Sequence, residues 1–374
     1  MSKVKKTQIL SFFAGSGFLD LGFEEAGFDI CYVNEFYEPF LNAYKFARNK
    51  MGKKLPKYGF FCGSIDDCFN GKEYRNLQEI IKKEKRPENN SLIGFIGGPP
   101  CPDFSIGGKN RGRNGDNGKL SQSYIDLICK LNPDFFIFEN VKGLYRTLKH
   151  REFFDILKKQ LENNEYILTE KLINALEYGV PQNRDRIILF GIKKNILKNN
   201  SISDFNWDKS IVYSKQEISS FKWPDIGKTD YDINTPKELT IEYWFNKNDV
   251  LNHPNMVHVF KAKAGLDKFK TILEGDNKRK SFKRLHRYKF SPTAAYGNNE
   301  VHIHPTEPRR ITVAEALAIQ SLPPNFYLPE NMTLTNMFKT IGNGVPFLAA
   351  KGVADSVNDF FEKITKPQKT DKSN

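Results

Sequence analysis

Short apolar runs alternate with stretches of helical periodicity through the first 194 residues of the chain. Each run has the length of a buried strand, and glycine or an acidic residue follows several of them. The predicted strands are Gln8–Phe13, Ile30–Val33, Leu92–Ile96, Phe135–Phe138 and Ile187–Ile192, and the predicted helices include Phe18–Ala26, Tyr124–Leu131 and Glu152–Asn163. Strands that alternate with helices predict an α/β domain with a mostly parallel sheet.

The alternation of apolar and helical segments ends after Lys194, which indicates a second domain. From Asn195 to about Glu307, short aromatic and β-branched pieces are separated by Asn, Asp, Gly and Pro, and helical periodicity returns at Thr312–Ser321 and Val345–Ile364. A chain of 374 residues is long enough for two domains. We therefore predict a larger α/β domain formed by residues 1–194 and 335–374, and a smaller irregular domain formed by residues 195–334.

Positive charge is concentrated in one stretch of the smaller predicted domain. The whole chain carries 57 Lys and Arg against 44 Asp and Glu, a formal net charge of +13. Between Lys261 and Lys289 there are eleven basic residues and three acidic ones, with Phe, Tyr and His residues interleaved. A charge run is often only a solvated face. The interleaved aromatic residues favour a nucleic-acid surface instead.

Several classes of protein are disfavoured by the composition. The five cysteines, at positions 31, 62, 68, 101 and 129, form no CxxC pair, so no metal site or disulfide framework is indicated. No apolar run reaches the ~18 residues of a membrane span, and Met1–Thr7 is not followed by a long apolar stretch. We expect no membrane association and a reducing cytoplasm.

The turn after the first predicted strand has features of a nucleotide-binding site. Gly15-Ser16-Gly17 allows a ligand to approach the backbone closely, and the helix that follows favours polar or anionic groups at its N-terminus. Glu35 ends the second strand, where a carboxylate can accept both ribose hydroxyls of an adenosine cofactor. NAD and S-adenosylmethionine both fit. Leu19-Asp20 replace the third glycine of the dinucleotide pattern, which disfavours a pyrophosphate.

A rigid turn presents Cys101 at the end of the third predicted strand. The sequence Gly97-Gly98-Pro99-Pro100-Cys101-Pro102 places prolines on both sides of the cysteine, and an open α/β sheet binds ligands at this end of its strands. A small buried cysteine does not require such a turn, so we predict a nucleophilic thiolate. The glycine-rich, basic segment Ser105–Lys119 that follows is expected to be a lid over an anionic substrate, or else a surface loop.

Two further motifs follow later strands. Glu139 ends the strand Phe135–Phe138, and Arg184 and Arg186 precede the strand Ile187–Ile192. Glu139 is interpreted either as an ion-pair partner or as an acid with a raised pKa that faces the pocket of Cys101. The two arginines suit either the holding of Glu139 or the binding of phosphate.

Six motifs together resemble those of the cytosine-5 DNA methyltransferases, in particular the bacterial modification enzymes. They occur in the order and approximate spacing of that family, over residues 8–192 and about 305–350, and leave the region between unmatched. The motifs are Phe13-Ala14-Gly15-Ser16-Gly17, Asn34-Glu35, Gly98-Pro99-Pro100-Cys101, Glu139-Asn140-Val141, Gln182-Asn183-Arg184-Asp185-Arg186 and Gly342-Asn343-Gly344-Val345. The resemblance implies a Rossmann-like S-adenosylmethionine-dependent catalytic domain and a target-recognition domain at 195–334.

The resemblance also implies roles for individual residues. Cys101 would attack C6 of a cytosine flipped out of the duplex, Glu139 would contact N3, Arg186 would hold the base carbonyl or Glu139, and Arg184 would support the site. The residues implied to frame S-adenosylmethionine are Phe13, Gly15, Gly17, Glu35, Phe36, Ile65, Gly98, Pro100, Leu120, Asn343 and Val345. The residues expected to contact double-stranded DNA are Ser105, Lys109, Arg111, Arg113, Lys278, Arg279, Lys280 and Arg284.

Partners and location follow from the same resemblance. Such an enzyme can act beside a cognate restriction endonuclease of the same site, and we expect a monomer in the bacterial cytoplasm, associated with the nucleoid. Two rivals stay open: an RNA cytosine-5 methyltransferase with the same catalytic set, and an inactive DNA-binding relative. A nicotinamide-dependent dehydrogenase is disfavoured by the missing third glycine.

The chain departs from the family pattern at a few positions. Pro102 stands where Gln commonly follows the nucleophile, and Ser64 stands where an Asp usually meets the adenine amino group, with Asp66 two residues later. Asn117 replaces a common Arg of the lid, and Ala314 replaces a frequent Arg. These changes bear on cofactor affinity and on the lid rather than on the reaction.

Overall fold

A seven-stranded sheet organises the first half of the chain in the computed structural model, which describes residues 7–87, 89, 91–100, 116–197, 201–261, 266–279, 281–294, 296 and 301–365. The strand order is β3-β2-β1-β4-β5-β7-β6. The strands are β1 Thr7–Phe12, β2 Asp29–Glu35, β3 Phe60–Cys62, β4 Leu92–Gly97, β5 Phe135–Val141, β6 Tyr166–Asn174 and β7 Asp185–Lys193, and a separate pair is formed by β8 Phe282–Arg284 and β9 Val301–Ile303.

Helices follow most of the strands. Their bounds are α1 Phe18–Glu25, α2 Glu38–Lys50, α3 Gly71–Glu84, α4 Asp116–Leu131, α5 Gly143–Arg146, α6 Leu148–Asn163, α7 Lys194–Leu197, α8 Lys215–Ser220, α9 Ile241–Lys247, α10 Leu266–Thr271, α11 Val313–Ile319, α12 Leu334–Asn343 and α13 Phe347–Thr365. The part of the chain that is described includes no helix long and apolar enough to cross a membrane.

The mostly parallel sheet is confirmed, with an antiparallel edge that the sequence did not predict. Strands β1 to β5 pair in parallel, whereas β7 pairs antiparallel with both β5 and β6. The link from β6 to β7 is too short for a crossover helix, so the two strands turn back on each other. Strand β6 escaped prediction because most of its residues are only half-buried, and β3 because it has three residues.

Two apolar layers cover the two faces of the sheet. Because side chains alternate along a strand, Phe136 and Phe138 of β5 pack with α3, α4 and α6, and Phe135 and Ile137 pack with α1, α2 and α13. The last helix, α13, therefore completes one layer of the sheet although it lies at the opposite end of the chain. Gly22 of α1 makes this possible, since a Cβ there would lie 2.5 Å from the backbone of Lys351 in α13.

A third apolar cluster joins the central part of the chain to the sheet domain. It contains Trp244 of α9 and Leu317 of α11 together with Phe18 of α1 and Phe40 of α2. The predicted smaller domain thus shares its largest apolar cluster with helices of the sheet, and the boundaries 195–334 stay a prediction. Helix α11 begins after Thr312, whose hydroxyl accepts from Glu315 N in a capping box.

Candidate active site

The ends of four parallel strands bring the predicted motifs to one edge of the sheet. Strands β1, β2, β4 and β5 end at Phe12, Glu35, Gly97 and Val141. Because parallel strands end at the same edge, the residues that follow them lie in one crevice, which is where open α/β sheets bind ligands. Three features therefore share one site. They are the predicted cofactor turn (Gly15-Ser16-Gly17), the turn that leads to Cys101, and Glu139.

The cofactor turn is held by the carboxylate of Glu35. Gly15 N donates to Glu35 Oε2 at 2.8 Å, and Tyr37 N donates to Glu35 Oε1 at 2.8 Å. Burial raises the pKa of this carboxyl, although the backbone hydrogen bonds oppose the rise. Gly15 and Gly17 have φ of 56° and 82°, a region that glycine enters at little cost. Each carboxylate oxygen keeps a lone pair for a further donor.

Buried side chains brace the same turn from beneath. Arg48 Nη2 donates to Gly17 O at 3.0 Å, and Arg48 Nε lies 3.1 Å from Glu24 Oε2. The Ser16 and Thr340 hydroxyls lie 2.7 Å apart, which ties the turn to α12. No sequence motif pointed to Arg48 or Thr340, because both contacts join residues far apart in the chain.

The other predicted cofactor residues surround this turn to different extents. The ring of Phe36 is 70% exposed beside Glu35, whereas Ile65 and Val345 are buried. Phe13, Gly98 and Leu120 are half-buried, and Pro100 and Asn343 are exposed. Such an exposed aromatic ring beside a carboxylate suits a flat, hydroxyl-bearing ligand.

The departure at Ser64 has a structural role of its own. The Ser64 hydroxyl accepts from Asp66 N at 3.2 Å, and Ser64 N donates to Asp67 Oδ2 at 3.1 Å, forming a capping box. Asp66 Oδ1 accepts from the Ser123 hydroxyl at 3.0 Å. Ser64 thus caps a short helical turn, and Asp66 is directed towards α4.

Glu139 of β5 is paired with Arg186 of β7. Arg186 Nε lies 2.7 Å from Glu139 Oε1, and both side chains are largely buried. Burial raises the pKa of the Glu139 carboxyl, and the charges of Arg186 and Arg184 oppose that rise. The ion-pair interpretation of Glu139 is therefore confirmed. The raised pKa agrees with the second interpretation, but the pocket of Cys101 lies outside the described residues, so that role stays a prediction.

Gly98 connects Glu139 to the turn that carries the predicted nucleophile. A Cβ atom at Gly98 would lie 2.5 Å from Glu139 Oε2, so only glycine leaves room for the carboxylate there. Cys101 follows three residues later and lies outside the described residues. So do Ser105, Lys109, Arg111, Arg113 and Pro102, together with the side chain of Asn117 and Lys280 of the basic stretch.

Arg184 lies behind the site rather than in it. Its side chain is 1% exposed, and its guanidinium donates to Gly342 O at 2.7 Å, Gly344 O at 3.1 Å and Ala294 O at 3.2 Å. Of the two arginines, Arg186 pairs with Glu139, whereas Arg184 binds backbone carbonyls, in keeping with the supporting role that the resemblance implies.

The prediction that Arg284 contacts DNA is also contradicted. Arg284 is 6% exposed, and its guanidinium donates to the carbonyls of His304, Pro305, Glu307 and Phe269. As the third residue of the short strand β8, it shares a face with Phe282, which packs on a small apolar cluster. Arg284 therefore organises the interior of this region.

Other parts of the basic stretch are likewise internal. Phe269 and His286 are buried, and Arg287 forms a two-pronged pair with Glu274 at 2.9 Å. The interpretation of the interleaved residues as part of a nucleic-acid surface therefore does not hold for the buried Phe269 and His286. Lys278 and Arg279 are exposed, with Arg279 Nε 3.5 Å from Asp276 Oδ2.

Known proteins match this chain over nearly its whole length. Residues 64–359 match the family model described as C-5 cytosine-specific DNA methylase. The type II methyltransferase M.NmeDI of Neisseria meningitidis serogroup C is 59% identical over 371 residues, covering 98% of this chain and 87% of that protein. The type II methyltransferase M.FnuDI of Fusobacterium nucleatum is 28% identical, covering 96% and 97%. A prophage-encoded E. coli protein of solved structure, at 23% identity, covers 96% of this chain and 100% of that one with a TM-score of 0.67.

Proposed function

The chain belongs to the C-5 cytosine-specific DNA methylase family, and from that membership we propose how its residues carry out methyl transfer. It is a DNA (cytosine-5-)-methyltransferase of the type II restriction–modification class. The proposal concerns the cofactor, the catalytic residues and the DNA-binding surface. The observation that carries it is the position of the Glu139–Arg186 pair against Gly98, three residues before Cys101.

The residues at the cofactor turn fit S-adenosylmethionine. Glu35 presents two carboxylate oxygens beside Gly15, suited to ribose hydroxyls, and the exposed ring of Phe36 offers a stacking face for adenine. Asn343 ends α12, which Thr340 ties to Ser16, and Val345 follows two residues later. When bound, S-adenosylmethionine supplies an electrophilic methyl group on a sulfonium.

The catalytic residues activate the cytosine ring. The Cys101 thiolate forms a bond to C6, which breaks the aromaticity of the ring and makes C5 nucleophilic. Glu139, with a raised pKa, shares a proton with N3 and so stabilises the charge that develops on the ring. Arg186 fixes the orientation of that carboxyl. After C5 is methylated, loss of the C5 proton expels the Cys101 sulfur and restores the aromatic ring.

The cytosine must leave the DNA stack before Cys101 can reach C6. Residues 195–334 form the target-recognition domain of the proposal, and the exposed Lys278 and Arg279 of the basic stretch, with Lys280, contact DNA phosphates. The segment that begins at Ser105, with its basic residues Lys109, Arg111 and Arg113, closes over the flipped base. Arg284 is omitted from this surface because its guanidinium is engaged inside the domain.

The remaining parts of the proposal concern partners and location. A restriction endonuclease of the same site is the expected companion of a type II modification enzyme, and the enzyme acts as a monomer. We propose that it acts in the bacterial cytoplasm, on the nucleoid, because its substrate is DNA.

A methylation assay on two nucleic acids tests the proposal. Labelled methyl transfer from S-adenosylmethionine is measured to duplex DNA and to structured RNA, and bisulfite sequencing of DNA from expressing cells gives the site. We expect methylated cytosine in duplex DNA only, and none with Cys101→Ser. Methylation of RNA alone would favour the RNA rival. Full activity of Cys101→Ser would refute the nucleophile.

A further inference from the structure

We infer that Arg184 is a positioning residue that couples cofactor binding to DNA binding. The inference rests on the proposed function, since it takes the turn around Asn343 as part of the cofactor site and the basic stretch as part of the DNA surface. Three features carry it: the three backbone segments that Arg184 joins, one of which leads to Arg186, its burial, and its neighbour Gln182.

The first segment that Arg184 joins is the cofactor side. Arg184 Nη2 donates to Gly342 O at 2.7 Å and Gly344 O at 3.1 Å, which flank Asn343. A Cβ at Gly344 would lie 2.2 Å from the ring of Phe18, the first residue of α1. The turn is thus packed between the Arg184 guanidinium and the helix that follows the cofactor turn, so it has little freedom to move without Arg184.

The second segment is the end of the basic stretch. Arg184 Nη1 donates to Ala294 O at 3.2 Å, only five residues after Lys289. Ser291 bridges to Gln182, Asn183 N donates to Ser291 O at 2.9 Å, and the exposed Thr293 hydroxyl donates to Asn183 O at 2.7 Å. A displacement of the basic stretch should therefore also displace residues 291–294. Their hydrogen bonds would pass this displacement to the loop that precedes β7.

Gln182 ties the two segments together a second time. Its Oε1 accepts from Ala294 N at 3.1 Å and from Arg184 Nη1 at 3.4 Å. Its Nε2 donates to Gln320 Oε1 at 3.3 Å, and Gln320 Nε2 donates to Ile341 O at 2.6 Å, the residue before Gly342. Gln182 and Gln320 are both fully buried. Buried polar networks of this kind have few alternative arrangements, so a shift in one segment changes the others.

The third segment is the catalytic one. Arg184 lies just before β7, and Arg186, two residues on, holds Glu139 at 2.7 Å. A shift of Arg184 along its own backbone therefore displaces the residue that orients the catalytic carboxyl. Neutral carbonyls and one amide hold the Arg184 charge, and a lysine cannot reproduce this because its ammonium is a single point with no planar fork.

Ligand binding to matched variants measures the coupling. The probes are S-adenosylhomocysteine, which allows no turnover, and a short duplex containing the site found by bisulfite sequencing. The dissociation constant of each probe is measured alone and with the other at saturation, and the ratio is the coupling factor, which must be the same from both directions. We expect about tenfold tighter binding in the wild type, within the usual range of coupling.

The variants separate coupling from simple bracing. In Arg184→Lys the coupling factor is expected to fall below about twofold. Gln182→Met leaves the bonds of Arg184 to Gly342 and Gly344 in place, so it should lower the coupling factor while it weakens the binding of S-adenosylhomocysteine alone less than Arg184→Lys does. Lys85→Met is the matched control, since it breaks the Lys85–Asp134 pair at the opposite end of β5 and should leave the coupling factor unchanged.

The outcomes distinguish a failure of the inference about Arg184 from a failure of the proposed function. If Arg184→Lys weakens S-adenosylhomocysteine binding equally with and without DNA, Arg184 braces the cofactor turn only, and the inference is overturned. A coupling factor of one in the wild type overturns it as well. If the wild type binds neither probe, the proposed function fails instead. Should Arg184→Lys not fold, Gln182→Met decides the question alone.

Discussion

Charged residues suggested a functional role both for the crevice at the end of the sheet and for the basic stretch 261–289, but these residues are placed differently in the two regions. In the crevice, Glu35 and Glu139 lie at the ends of predicted strands, Glu35 beside Gly15 and Glu139 beside Arg186. In the basic stretch, Arg284 and Arg287 are engaged within the protein, while Lys278 and Arg279 face outwards. A residue's position at the end of a strand predicts where its side chain lies in the fold. A cluster of charges in the sequence does not predict which of those side chains reach solvent.

The largest effect is expected at Glu139. Glu139→Gln keeps the shape of the side chain but removes the proton that N3 would share, so turnover should fall by about 10²-fold or more. Single-turnover methylation of duplex DNA measures this rate, and the dissociation constant of S-adenosylhomocysteine should stay within about twofold. An unchanged rate would show that Glu139 is not catalytic. The crevice would then no longer differ from the basic stretch in the accuracy of the prediction for Glu139.

A smaller effect is expected at Glu35. In Glu35→Gln one carboxylate oxygen becomes an NH₂ group that faces a backbone N–H, of either Gly15 or Tyr37. The KM for S-adenosylmethionine should rise by about tenfold, or about 1.4 kcal/mol, with kcat at saturation unchanged. The exposed Glu38, three residues later, provides the control Glu38→Gln, whose KM should match the wild type. A fall in kcat alone would contradict the assigned role.

A substitution of Arg284, in the basic stretch, is expected to lower the stability of the protein. Arg284→Met removes one donor group from four backbone carbonyls, and the bonds to Pro305 O and Phe269 O are buried, so the free energy of unfolding should fall by about 2–4 kcal/mol. Thermal unfolding followed by circular dichroism measures this loss. If Arg284→Met melted like the wild type and bound DNA more weakly, the side chain would belong to the DNA surface after all.

Lys278 and Arg279 should respond in the opposite way. The double change Lys278→Gln and Arg279→Gln should alter the free energy of unfolding by less than about 0.5 kcal/mol. The slope of log K for DNA binding against log salt should become shallower by about 1.8, because two phosphate contacts are lost. Fluorescence anisotropy across a salt series checks it, and an identical slope would place the DNA surface elsewhere.

The smallest effect concerns pH and Glu139. Because burial raises the pKa of Glu139 in the folded protein, the folded state binds this proton more tightly than the unfolded chain. Stability from this group is therefore full below its unfolded pKa and is lost as pH rises through its folded pKa. The melting temperature of Glu139→Gln relative to the wild type should increase from pH 4 to pH 8, and a decrease would contradict the sign.

The sequence predicted those features that depend on local rules. Strands β1, β2, β4 and β5 were visible as apolar runs, and Glu35 and Glu139 were visible as acids at their ends. The burial of Arg284 depends on β8, a three-residue strand that carries no clear periodic signal. The carbonyl partners of Arg184 lie 110 to 160 residues away, so only the folded chain reveals them.

Trapping of the covalent adduct tests the central claim most directly. A duplex that carries 5-fluorocytosine at the target is incubated with enzyme and S-adenosylmethionine, and the peptides are analysed by mass spectrometry. Fluorine at C5 cannot leave as a proton does, so the methylated base should stay bonded to Cys101 in the wild type and in no molecule of Cys101→Ser. Methylation of the ordinary duplex without any adduct on Cys101 would contradict the mechanism.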